Sequence, residues 1–192
     1  MAPKKLLILK ASKDICAAET AHLLAIAGLF SMTTKEISFT SIADLQSKLV
    51  HDDRYDYVYL AAHASPQCFG EADGSCLMSW DQLADALCMS ACLATGAVLL
   101  LACCRGGLRG VADTLFVNCC DIDYVCGPRW KATAADITVG FHTFIYNLES
   151  RREQPSTAAR RASEATGYDF FCYDRVELED TYSYVASPAL GQ

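Results

Sequence analysis

Short apolar runs alternate along this chain with longer stretches whose apolar positions fall every third or fourth residue. The first run predicts a strand at Leu6–Lys10, followed by a helix around Asp14–Ala27 that Gly28 ends, and a second strand at Lys35–Thr40. Ser41-Ile42-Ala43-Asp44 is a capping-box signature, and Ile42, Leu45 and Leu49 give the helix it opens one apolar stripe. A third strand ends at His63. Asp73-Gly74 then marks a hairpin-type turn, and Ser79-Trp80-Asp81-Gln82 caps a helix expected to run to about Leu93. Val98–Cys103 reads as a strand, followed by the glycine-rich turn Arg105–Gly110, a helix over Asp113–Cys119 and a short strand at Asp123–Cys126. Thr133-Ala134-Ala135-Asp136 opens a helix buried through Ile137, Phe141, Phe144, Ile145 and Leu148. Ser156–Thr166 forms a last helix stopped by Gly167, and Phe170–Leu178 an edge strand. Such alternation predicts an α/β three-layer sandwich with a mostly parallel central sheet.

Length and composition narrow the class. A chain of 192 residues accommodates one domain, placed at residues 1–180, with a loose tail at 181–192. The net charge of −7 argues against a nucleic-acid partner, because affinity for phosphate backbones rests on clustered Lys and Arg. Apolar runs fall short of the roughly 20 residues that span a bilayer, so no membrane partner is expected. Lys10 interrupts the opening run Leu6–Leu9, which therefore reads as a strand rather than a leader, and the expected location is cytoplasmic. The 11 cysteines lack paired C-x-x-C modules and lie mostly within apolar patterns, so they read as reduced, small hydrophobes. Cys88 and Cys92 are i, i+4 neighbours without a second ligand pair; no metal and no cofactor is expected.

Two strand ends carry the candidate chemistry. Tyr57–His63 ends in an imidazole and Val98–Cys103 in a thiol. Carboxyl ends of neighbouring parallel strands open into one crevice, where an imidazole can take a thiol's proton and turn it into a nucleophile. The 40 positions between the two residues hold a hairpin excursion and one crossover helix. His22, His51 and His142 read as structural, and Trp80 as core or lid. Cys103 and Arg109 also fit C-x5-R, the spacing with which phosphatase-like loops wrap a phosphate, although Gly110 stands where a hydroxyl residue is usual.

Leu101-Ala102-Cys103-Cys104-Arg105-Gly106, preceded by His63-Ala64 and followed by Tyr124–Trp130 and Asp136, resembles the caspase-like cysteine peptidases, and among them the CHAT group. Members of that group carry one strand ending in His-Gly and a later one ending in Ser-Ala-Cys-x-x-Gly. The likeness runs from about Leu6 to Ser163; Leu101 replaces the serine and Ala64 the glycine. The resemblance implies a caspase-like fold and a cysteine endopeptidase. In that mechanism His63 is the base, Cys103 the nucleophile, and the backbone N–H groups of Ala64 and Cys103 form the oxyanion hole. It further implies that Trp130 flanks the substrate strand and that Asp136 reaches a specificity pocket favouring a basic residue before the cut. The expected partners are a protein or peptide substrate and an activating partner chain. Cys104, which precedes Arg-Gly as a caspase nucleophile does, is the alternative thiol, and a catalytically silent interaction module is the alternative function. Glu149–Ser156 is the stretch that resembles a processing loop.

Overall fold

A computed structural model describes residues 3–15, 17–49, 53–75 and 77–177. Strands β1 (Lys5–Lys10), β2 (Thr33–Ser38), β3 (Tyr55–Ala61), β7 (Leu93–Ala102), β8 (Ile122–Pro128) and β9 (Phe170–Asp174) form a six-stranded sheet in the order β2-β1-β3-β7-β8-β9. All neighbours pair in parallel except β8 and β9. Between β3 and β7 the chain forms a small antiparallel sheet of β4 (His63–Ala64), β5 (Cys68–Gly70) and β6 (Leu77–Ser79).

The apolar strands are buried on both faces, so their residues sort by parity. Leu7, Leu9, Val58, Leu60, Leu99 and Leu101 face a core completed by α2 (Ile42–Lys48), α3 (Trp80–Met89) and α4 (Arg109–Asn118). Leu6, Ile8, Tyr57, Tyr59, Val98 and Leu100 face the opposite core, completed by α1 (Ala17–Leu29), α5 (Ala134–Arg151) and α6 (Pro155–Thr166). The chain is therefore an α/β three-layer sandwich, as the alternation of elements predicts. Trp80 is core, stacked on Phe69 at a ring separation of 5.0 Å.

Several boundaries differ from the sequence reading, each for a local reason. Asp14 lies in a turn before α1, because its carboxylate is bonded to Ser12 and His63 instead of capping the helix, and Gly28 sits inside that helix. Helix α3 stops at Met89, where Ser90 caps it and Ala91 turns the chain with φ 47°, so Leu93 starts a strand. Helix α4 begins at Arg109, four residues before Asp113, because Leu108 in extended conformation serves as its N-cap. The expected processing loop is mostly helical: α5 runs through Arg151 and α6 begins at Pro155, while Glu149 is tied to Lys4 at 2.6 Å and to Tyr57. His51 and the tail at 181–192 lie outside the described residues, as does the end of the expected edge strand at Leu178. Among the described residues, no helix is long and apolar enough to cross a membrane.

Candidate functional site

The strand order reverses direction between β1 and β3, since β2 lies to one side and β7 to the other. In doubly wound sheets the carboxyl ends of the strands at such a point frame a crevice. Here β1 leads to Asp14, β3 to His63 and β7 to Cys103. A cavity of about 150 Å³ opens there, lined by His63, Cys103 and Cys104 together with Tyr59, Glu19 and Ile137.

His63 is not the last residue of β3. It begins β4 and pairs with Gly70 of β5, so the small sheet fixes its backbone. Its Nε2 lies 2.8 Å from Asp14 Oδ2, with both side chains about half exposed. The Ser12 hydroxyl contacts Asp14 and stands 2.8 Å from Glu71 Oε2, which also accepts the Lys13 N–H at 2.9 Å. Ser12 and His63 hold the Asp14 carboxyl below the usual carboxylate range. Glu71 thereby fastens the turn after β5 to the turn after β1. Its second carboxylate oxygen, Oε1, is buried without a hydrogen-bond partner.

Cys103 follows β7 at the start of a tight turn. Its carbonyl accepts the Gly106 N–H at 3.2 Å, and Arg105 adopts φ 63°. The turn lies against β8: Gly107 N–H donates to the Pro128 carbonyl at 2.9 Å, and a Cβ on Gly107 would overlap the Gly127 carbonyl. A Cβ on Gly106 would sit 2.5 Å from Leu101 Cβ and 3.1 Å from Cys103 Sγ, so glycine is required for the thiol to tuck beneath the turn. Cys103 is 4% exposed, and burial pushes its thiol far above the usual range. Among the described residues no hydrogen bond joins the His63 imidazole to this thiol; the two meet as walls of one cavity. Cys104 is half-buried on the same wall.

Ala64 is next to His63 in β4 and does not have positive φ, so alanine in place of glycine imposes no backbone strain there. Trp130 lies beside the turn after β7, its carbonyl accepting the Arg105 N–H at 3.2 Å. Its ring is 54% exposed and donates Nε1–H to Asp169 at 3.2 Å. Asp136 is occupied elsewhere: Oδ2 accepts the Thr133 N–H at 3.0 Å and hydroxyl at 2.7 Å, closing the capping box of α5. It is not among the residues lining the cavity, although Ala132, Ala134 and Ile137 around it are. Arg109 lines a different cavity, of about 470 Å³, with Pro66, Arg129 and Tyr173, so a C-x5-R loop around one phosphate is not formed. Asp14, Ser12 and Glu71 are the site residues that sequence patterning missed. Asp14 follows the strand next to the one that leads to His63, and that adjacency was the available signal.

No family model matches the chain, and no curated protein matches it. Similar solved structures include a yeast Spc42 trimeric coiled-coil fusion, at 17% identity and TM-score 0.41 over 97% of this chain and 99% of that one. They also include cystathionine gamma-lyase from Lactobacillus plantarum complexed with L-serine, at 11% identity and TM-score 0.39 over 74% of this chain and 36% of that one.

Proposed function

We propose that the chain is a caspase-like cysteine endopeptidase of the CHAT type, hydrolysing peptide bonds in protein substrates with His63 and Cys103. The observation that carries the reading is the shared cavity: an imidazole and a thiol, 40 positions apart in sequence, line one opening at the carboxyl edge of the sheet. Asp14 adds an orienting group. With Nε2–H donated to Asp14, Nδ1 keeps its lone pair and is the nitrogen that takes the Cys103 proton. The thiolate then attacks the substrate carbonyl carbon, and the N–H groups of Ala64 and Cys103 receive the oxyanion. The imidazolium returns its proton to the leaving amine. Water, deprotonated by the same imidazole, releases the acyl group and restores the thiol.

In the described conformation this enzyme is latent. The buried thiol must be uncovered and the imidazole brought against it, so the expected activating partner has to shift the small β4–β6 sheet and the turn after β7 toward each other. A second reading has its own observation. The 4% exposure of Cys103 is what a catalytically silent interaction module with a retained dyad would have. Mapping new amino termini in a cell lysate after adding wild-type protein or Cys103→Ala separates the two. Cleavages present only with wild type support the peptidase, and identical maps remove it.

A further inference from the structure

Away from the cavity, the packing of α3 on α4 gathers a second group of thiols. Cys88 lies in the last turn of α3, whereas Cys119 caps α4, and Cys120-Asp121 form the turn into β8. The ligand atoms of Cys88, Cys120 and Asp121 all lie within 4.8 Å of one another. We propose that Cys88, Cys120 and Asp121 form a binding site for a divalent d10 cation, Zn2+, at the α3–α4 end of the molecule, independent of the peptidase reading.

The donor set fits that ion. Two thiolates and a carboxylate are borderline-soft ligands of the kind Zn2+ takes in tetrahedral sites, where sulfurs at ~2.3 Å from the metal lie ~3.8 Å apart. Closing the observed spacing to that value needs a small side-chain movement, which the exposed position of Cys120 allows. Cys119, the residue before Cys120, is buried at the end of α4. The turn bearing three of these residues is held by backbone contacts. Arg175 donates to the carbonyls of Phe116 at 2.7 Å and Ile122 at 2.8 Å, and to that of Cys119. This guanidinium fixes the turn before any ion arrives, which reduces the ordering cost of binding.

The spacing of Cys88 and Cys92 suggests an isolated pair on one helix. The structure pairs Cys88 instead with residues more than 30 positions away, which helix spacing does not reveal. The test uses the full chain, reduced and stripped with a chelator. After addition of Zn2+ and desalting, elemental analysis should find one equivalent retained, and Co2+ should produce a thiolate-to-metal charge-transfer band. Cys120→Ser and Asp121→Asn, both surface changes that leave the core intact, should weaken binding at least ~10-fold, as should Cys88→Ser. Cys104→Ser should bind as wild type. Absence of retained metal in the reduced wild type would overturn the site, and so would undiminished binding in the folded Cys120→Ser and Cys88→Ser variants.

Discussion

Asp14 shows how one side chain can be assigned two different roles. An acid just ahead of a helix is normally read as part of its first turn, where it would sit near the positive end of the helix dipole. Here the carboxylate turns back to Ser12 and His63 at the carboxyl edge of the sheet. Its effect on chemistry should therefore exceed its effect on folding. Both partners are about half in water, so the contact contributes little to stability. For a thiol protease, however, the acid selects which imidazole nitrogen holds the lone pair. On the proposed peptidase reading, Asp14→Asn should leave the urea midpoint almost unchanged while lowering kcat/KM about 10-fold, short of the ~10⁴ lost when a buried triad acid is replaced. An unchanged kcat/KM would remove Asp14 from the machinery. The Ser12 and His63 hydrogen bonds lower the Asp14 carboxyl, so its small contribution is complete above the usual carboxylate range and is lost only as pH falls through the lowered value.

Among the elements, the turn after β7 and its contact with β8 are the most tightly constrained. Gly107 meets the Gly127 backbone with no room for a methyl group, and overpacking of this kind costs about 3 kcal/mol. Gly107→Ala should lower the urea midpoint accordingly. Gly28→Ala, inside α1 with nothing within 4 Å of the new Cβ, should raise stability by about 0.5–1 kcal/mol. Equal effects of the two changes would refute the close approach. The packing of α1 on α5 makes a different prediction. The His22 and His142 rings lie 4.8 Å apart at a tilt of 38°, and the His22 ring nitrogens are buried without hydrogen-bond partners among the described residues. Burial, and then the neighbouring His142, push it down to about 4 from 6.5. The unfolded chain therefore binds a proton that the folded chain refuses, so stability is complete above pH 6.5 and falls as pH drops toward 4. The loss should be about 1–2 kcal/mol, discounted because the ring is only half-buried, and His22→Leu should abolish it in urea titrations. Most of these elements were legible from sequence, since continuous apolar runs mark the double-faced strands and Ser41, Ser79 and Thr133 mark helix starts. The small β4–β6 sheet shows in the sequence as a hairpin excursion with a turn at Asp73-Gly74 and without strand bounds, because strands of two or three residues are too short to show a period. Likewise His63 and Cys103 were visible as strand ends. Their packing against Asp14 and beneath Gly106 depends on contacts between distant segments, which no local pattern carries.

At the scale of the whole molecule, the sheet places the reactive groups at one edge while the packing on its α2–α4 face covers the thiol. Cys103 belongs to the core that includes Leu101, Val111 and Leu115, so uncovering it requires the turn after β7 to move as a unit. That turn is fixed at three points: Arg105 to Trp130, Gly107 to Pro128, and Tyr173 Oη to the Gly107 carbonyl at 3.2 Å. The resting protein should therefore react at its surface thiols first. With limiting iodoacetamide, Cys120 should be modified at least ~10-fold faster than Cys103, because the thiolate is the reactive form and burial suppresses it at Cys103. Tyr173→Phe removes one of the three anchors without leaving a cavity, and should speed alkylation of Cys103 while leaving Cys120 unaffected. On the proposed peptidase reading, an activating partner should do the same more strongly, and only in a protein that retains His63 should the exposed thiol also gain reactivity toward peptide substrates. Rapid labelling of Cys103 in the resting wild type, measured by peptide mass spectrometry, would contradict both the proposed latent state and the proposed need for a partner.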